Sequence, residues 1–374
     1  MHSRKFSGLS KAMLGITSLA RIYAAKIFAV SFSQVSFSQV SFSPATFSVI
    51  RVFALGVFAF STFALSIPAS LAIDSIEAAW KDIPVKRYLD HGKEIRYCET
   101  EEANHTKVSV IVVPLSKSFE IRPVLNAKTC PTSESAAKEG ALASINGSFF
   151  NLQGGASTGA STAYITINGQ LVCTPKENEA LTKNIKLKPF LNQIYDRSEL
   201  RFIADSKGKV MVRIQPHSEP VPEGFTLKHS IQAGPRLLPA ITSREEAFIR
   251  TEPDGTETDS IGCLRTAART AVGITPDDKL IIVCVAGPKQ DEFSTGMTLE
   301  QLASFMKKLG CVSAINFDGG TSTTMALKKP IDKKDPDAKK DVNANAKPSD
   351  DYSVVCGRVP ETNVKSCLIV RKAP

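Results

Sequence analysis

Between Ser109 and Val370 the apolar residues come in short, often β-branched runs, each ended by a turn signal, and this rhythm restricts the chain to a strand-rich fold. Val108 to Val113 and Phe119 to Val124, separated by Pro114 and Lys117, read as a strand pair. Tyr164 to Ile167 and Gln170 to Cys173 flank Asn168-Gly169, the dipeptide favoured in two-residue type I′ hairpins. Leu200 to Ile203 and Val210 to Ile214, joined through Ser206-Lys207-Gly208, read as a second hairpin. Ala141 to Ile145 is a buried strand running into Asn146-Gly147, and Val364 to Arg371 is a closing strand.

Helical periodicity is strongest over Leu299 to Leu309, where Leu299, Leu302, Ala303, Met306 and Leu309 share one face. Thr298 with Gln301 makes a capping box, Lys307 and Lys308 complement the last turn, and Gly310 ends it. A strand from Val312 to Phe317 follows directly, so Asp318 falls at a strand's C-terminal end. Thr132 to Gly140 can form a short helix, and Thr174 to Arg197 and Lys328 to Asp350 read as polar loops. The expected fold is α+β, a single domain with a mixed, strand-rich sheet core and few helices.

Residues 1–72 differ from the rest. They hold six basic residues and no acidic one, repeat SFSQV from Ser31 to Val40, and end in an uncharged run, Val52 to Ile67, before Pro68 and Ser70-Leu71-Ala72. This is a secretory signal pattern with cleavage after Ala72, leaving 73–374 as the mature domain with a motif-bearing core at about 108–371. An uncleaved anchor and an organelle transit peptide also fit. Of 46 basic residues only 40 then remain, against 37 acidic ones, so the basic balance is mostly a property of the leader. No basic stripe interleaved with aromatics appears, which argues against nucleic acid as a partner.

All eight cysteines lie beyond the leader, and none has zinc-ligand spacing. An even count in an exported chain suggests disulfides, with Cys356 and Cys367 the pair singled out across Pro360. Cys284, inside an apolar run, reads either as a disulfide partner or as a buried thiol.

Asn316-Phe317-Asp318-Gly319-Gly320-Thr321-Ser322-Thr323-Thr324 joins a strand-end acid to two glycines and four hydroxyls. Glycines admit close backbone approach, successive N–H groups can form an anion nest, and a carboxylate beside it suits acid–base or nucleophilic work. By itself the pattern also fits a turn with capping hydroxyls.

Ser144 to Asn151 (SINGSFFN), Gln232 to Leu238 (QAGPRLL), Arg269 to Ile274 (RTAVGI), Gly296 to Ala303 (GMTLEQLA) and Asn316 to Met325 (NFDGGTSTTM) come in an order and spacing that resembles the phosphodiester glycosidase family. The resemblance implies catalytic Asp318, Arg269 and Asn146. It implies substrate or phosphate binding by Gly319, Gly320, Thr321 and Ser322, with Gly147 and Gly234 shaping the walls. In that reading Arg269 would grip the phosphate bidentately and Asn146 would meet sugar hydroxyls. Three departures stand out: Thr321 replaces a third glycine, Ala267-Ala268 stands where members often carry His-Pro, and Gln301 replaces the helix glutamate.

The implied activity is hydrolysis of a sugar-1-phosphodiester in envelope or extracellular glycans. The alternative is a non-catalytic exopolysaccharide-binding or envelope glycan-binding protein on the same fold. A cysteine hydrolase built on Cys263 is a third idea. A carbohydrate or sugar phosphate is the expected partner, with membrane contact only through an uncleaved anchor. The sequence requires no cofactor and leaves open a divalent cation near Asp318. Should a second carboxylate be needed, Asp291 and Glu292 are the candidates.

Overall fold

The computed structural model describes residues 85–91, 95–152, 155, 157–329 and 347–373. The leader and most of the Lys/Asp/Asn-rich segment after Lys328 lie outside them. The first strands are β1 (Val85–His91), β2 (Ile95–Glu102), β3 (Thr106–Pro114) and β4 (Phe119–Cys130). After α1 (Thr132–Lys138) come β5 (Ala143–Asn146), β6 (Phe150–Asn151), β7 (Ala160–Ser161), β8 (Ile165–Ile167) and β9 (Gln170–Cys173). The segment expected to be a loop carries two short helices, α2 (Glu179–Thr182) and α3 (Leu191–Tyr195). Next are β10 (Ser198–Asp205), β11 (Val210–Pro216), β12 (Phe225–Gln232) and β13 (Arg236–Leu238). A small hairpin, β14 (Ile249–Thr251) and β15 (Glu257–Asp259), precedes β16 (Arg269–Ile274), β17 (Lys279–Val285) and α4 (Leu299–Lys308). The last strands are β18 (Ser313–Asn316), β19 (Met325–Lys328), β20 (Tyr352–Cys356) and β21 (Val364–Lys372).

Three sheets dominate: a seven-stranded sheet in the order β1-β2-β3-β17-β16-β18-β13, and two five-stranded sheets, β11-β10-β12-β8-β9 and β20-β19-β5-β21-β4. The fold is mostly β, with few helices. The expectation of a mixed sheet is corrected, because every strand pairing among the described residues is antiparallel. The crossover through α4 does return the chain parallel to β17. However, β16 pairs with both β17 and β18 and occupies the place between them.

The expected pairing of Val108–Val113 with Phe119–Val124 is also corrected. β3 lies between β2 and β17, whereas β4 pairs with β21 in another sheet. Pairing with distant strands buries Val108, Val110, Ile111 and Val113 almost completely, which a two-stranded hairpin could not do. The local expectations hold better. β8 and β9 form a hairpin through Asn168 (φ 52°) and Gly169 (φ 76°), and β10 and β11 form another.

One central core draws on all three large sheets, including Ile111, Ile145, Phe202, Ile231, Val272, Phe317 and Leu368. A second core lies under α4, whose Leu299, Leu302, Phe305 and Met306 pack with Ala271, Val283 and Ala314 on the other face of the seven-stranded sheet. Alternation along β16 follows from this. Val272 and Ile274 face the central core, and Ala271 faces α4. The helix start is fixed as expected: the Thr298 hydroxyl accepts from Gln301 N–H at 3.2 Å, and Gln301 Oε1 accepts from Thr298 N–H at 2.9 Å.

The disulfide expectation is corrected, since all eight cysteines are free thiols. Cys356 sits on β20 and Cys367 on β21, with β19 and β5 between them in the sheet. Three strand spacings of about 4.8 Å place them roughly 14 Å apart, beyond disulfide reach. Cys284 is the buried thiol of the second reading: it is fully enclosed, and burial pushes it up to about 12. Among the described residues, no helix is long and apolar enough to cross a membrane.

Candidate active site

Four of the five motif segments meet directly at one end of the seven-stranded sheet. Asn146, the last residue of β5, is fully buried. Its Nδ2 donates to the main-chain oxygen of Asp318 at 2.6 Å. Its Oδ1 accepts from the Thr270 hydroxyl at 2.7 Å and from Thr324 N–H at 3.1 Å. Asp318 N–H donates to Gly147 O at 3.2 Å, Gly320 N–H to Ala268 O at 2.9 Å, and Gly234 N–H to Asn316 O at 2.9 Å.

The glycines make these approaches possible. A Cβ on Gly147 would stand 2.5 Å from Ser366 Oγ and 2.8 Å from its main-chain carbonyl carbon. On Gly319 it would meet Ala268 O at 2.8 Å. Gly234 has φ 108°, and a Cβ there would fall 2.1 Å from Glu246 Oε2. Glu246 is itself buried, receiving the Ser198 hydroxyl at 2.7 Å and Arg236 N–H at 3.1 Å, so it braces the turn after β12.

Asp318 is half-buried on the loop after β18. Loss of water around it raises its carboxyl to about 6. Two hydrogen bonds oppose that rise, from the Ser322 hydroxyl and from Gly319 N–H at 2.9 Å. The expected nest is largely satisfied from within. Gly319 N–H binds Asp318, Gly320 N–H binds Ala268 O, Ser322 N–H binds Gly319 O and Thr323 N–H binds Gly320 O. Gly320 and Thr321 are exposed, and Gln290 Nε2 donates to Gly320 O at 2.8 Å. Asn316 Oδ1, Thr323 Oγ1 and Thr324 Oγ1 are buried without a protein partner, a concentration of unmet polar atoms on one short stretch.

Arg269 is placed differently from the expectation of a phosphate clamp. It is 2% exposed, on the α4 side of β16, opposite to Thr270 and Asn146. Its Nε donates to Met297 O at 2.9 Å and its Nη1 to Ile261 O at 3.1 Å, while its Nη2 serves Gly262 O and, at 2.9 Å, Arg265 O. Four of the five guanidinium N–H groups are therefore spent on main-chain oxygens. Among the described residues no ion pair joins Arg269 to Asp318. What Arg269 does is pin the 261–265 loop, on which Leu264 and Arg265 are exposed. Nothing in the residue pattern signals this role, because main-chain acceptors leave no trace in residue identity.

Asp291 is held by Lys107, by the Ser294 hydroxyl at 3.1 Å and by Phe293 N–H at 3.2 Å, and the Lys107 contact lowers its carboxyl. Cys263 is buried, and burial pushes its thiol up to about 11, which is unsuited to a nucleophile. Among the described residues no three His, Cys, Asp or Glu side chains cluster so as to hold a metal ion.

The phosphodiester glycosidase family model matches residues 139–370. The chain belongs to the phosphodiester glycosidase family. The match takes in Asn146, Gly234, Arg269 and the Asp318 loop. Three solved structures are similar at low identity. A hypothetical protein from Synechocystis is 15% identical, with TM-score 0.44 over 77% of this chain and 63% of that one. The zebrafish N-acetylglucosamine-1-phosphodiester alpha-N-acetylglucosaminidase catalytic domain, auto-inhibited by its pro-peptide, is 16% identical, with TM-score 0.47 over 79% and 92%. A Burkholderia pseudomallei protein described as exported is 15% identical, with TM-score 0.45 over 71% and 74%. This chain thus spans less than two thirds of the Synechocystis protein. No curated protein matches it.

Proposed function

We propose that this phosphodiester glycosidase hydrolyses the glycosidic bond of a sugar-1-phosphodiester outside the cytoplasm, with Asp318 as the catalytic carboxylate. The supporting observation is a strand-end carboxyl, raised to about 6 by desolvation, where the family's motif segments meet. In its charged form Asp318 takes a proton from the attacking water or attacks the anomeric carbon itself. A phosphate leaving group is a weak base and departs without much help, so one carboxylate suffices where ordinary glycosides need two. Exposed Gly320 and Thr321 form the floor of the site together with Gly319 and Ser322.

Arg269 acts in this reading as a positioning residue, through the loop it pins. Arg265, exposed on that loop, is the cation assigned to the phosphate. Residues 1–72 supply the reason for an extracytoplasmic location, since their pattern is that of a secretory signal. The substrate class is a carbohydrate phosphodiester in envelope or extracellular glycans.

The test is incubation of the protein with a sugar-1-phosphodiester and chromatography of the products. Free sugar with an intact phosphomonoester is the expected result. Saturable binding without any sugar release would instead mark a glycan-binding protein on the same fold. The satisfied nest and the committed Arg269 are the observations that favour that second reading.

A further inference from the structure

A cavity of about 370 Å³ opens at the end of the seven-stranded sheet opposite to Asp318. β16 and β17 run from the Arg269–Val285 pair near Asp318 to the Ile274–Leu280 pair, and Asp278 in the turn beyond lines the cavity. The two places are therefore separated by roughly six residues of strand, about 20 Å. The volume lies within the roughly 300–1,000 Å³ of small-molecule sites.

Its walls are apolar, formed by Leu115, Phe119, Ile121, Phe202 and Val210. Three exposed lysines, Lys117, Lys209 and Lys228, stand around it on three separate segments of the chain. Among the described residues none of the three forms an ion pair with a carboxylate. Glu120 also lines the cavity, but its charge is held by Arg371 Nε at 2.5 Å and Arg122 Nε at 3.8 Å. His229 is 8% exposed, and its Nδ1 accepts from Asn168 N–H at 3.2 Å, so Nε2 carries the proton. That Nε2 lies 3.8 Å from Glu120 Oε1, too far to hydrogen-bond, and remains free to donate within the cavity. Burial holds His229 down at about 4, so it is a neutral donor.

We propose that this cavity binds a single-chain amphiphile with an anionic head, its chain along Phe119, Ile121 and Phe202 and its head among Lys117, Lys209 and Lys228. Apolar walls account for the chain, and three lysines with one buried N–H donor account for the head. The site is independent of the chemistry at Asp318.

The test is titration calorimetry of the full chain with decyl phosphate below its micelle concentration. Saturable binding in the micromolar range is expected. Val210→Trp, which fills the cavity from an exposed strand position, and the double change Lys209→Glu with Lys228→Glu should each weaken binding at least about tenfold, with circular dichroism unchanged. Inorganic phosphate alone and phosphatidylglycerol vesicles should give no saturable heat. The proposal fails if decyl phosphate does not bind, if neither variant weakens it, or if vesicles bind as well as the monomeric amphiphile.

Discussion

The side-chain amide of Asn146 donates to the main-chain oxygen of Asp318 at 2.6 Å, and its own oxygen is shared by the Thr270 hydroxyl and Thr324 N–H. One amide at the end of β5 thus ties together the loop after β18, the start of β16 and the approach to β19. Asn146→Ala takes a hydrogen-bond partner from the Asp318 oxygen, the Thr270 hydroxyl and Thr324 N–H, at about 1–3 kcal/mol for each group that finds no other partner. A stability loss of roughly 3 kcal/mol is expected in urea unfolding. A loss below about 0.5 kcal/mol would show that the amide is not a structural tie.

Arg269 and Arg265 separate two roles that a shared loop would otherwise confuse. Arg269→Lys removes the fork that serves Met297, Ile261, Gly262 and Arg265 oxygens, and should cost about 3 kcal/mol of stability as well as activity. Arg265→Ala, at an exposed position, should change stability by less than about 0.5 kcal/mol while raising KM for the phosphodiester about tenfold or more. Paired urea melts and steady-state kinetics check both. An unchanged KM in Arg265→Ala would remove it from the phosphate site.

Asp318 makes folding depend on pH in a direction opposite to that of most carboxylates. Its folded pKa of about 6 lies above the reference 3.8, so the folded state holds the proton more tightly than the unfolded one. Stability contributed by this group is therefore present at low pH and is lost as pH rises from about 4 to above 6. With allowance for its partial exposure, Asp318→Asn should be more stable than the parent by roughly 1–2 kcal/mol at pH 7 and about equal to it at pH 4. Thermal melts across this range read the difference. A larger gain at pH 4 than at pH 7 would reverse the assigned cause.

Two glycines with positive φ should respond differently. Gly320 has φ 61°, and a Cβ added there would meet nothing within 4 Å, so Gly320→Ala carries only the backbone cost of about 1 kcal/mol. Gly234→Ala meets the Glu246 carboxylate as well and should cost at least about 3 kcal/mol. Urea midpoints of the two variants give the comparison, and equal losses would contradict the crowding at Gly234.

What could be read from the sequence was what residues decide locally. Thr298, Gln301 and Gly310 mark the ends of α4 because capping is settled within a few residues, and Asn168-Gly169 dictates its own hairpin. The pairing of β3 was not legible, because its partners lie beside it only after distant strands assemble. The same limit governed Cys356 and Cys367: they are close along the chain, yet two strands separate them in the sheet. At the candidate site, Asp318 and its glycines were singled out by residue type alone, and the structure adds that their loop meets Asn146 and Gly147. Whether a buried arginine faces phosphate or its own backbone depends on which side of β16 it takes, and on which oxygens the 261–265 loop presents.

The central claim is that Asp318 carries the chemistry, and kcat/KM for a sugar-1-phosphodiester across pH tests it most directly. The parent protein should show a rate that rises through about pH 6 as the carboxylate ionises, and Asp318→Asn should lose about a thousandfold or more while remaining folded. Turnover by Asp318→Asn equal to the parent, with the same pH profile, would contradict it.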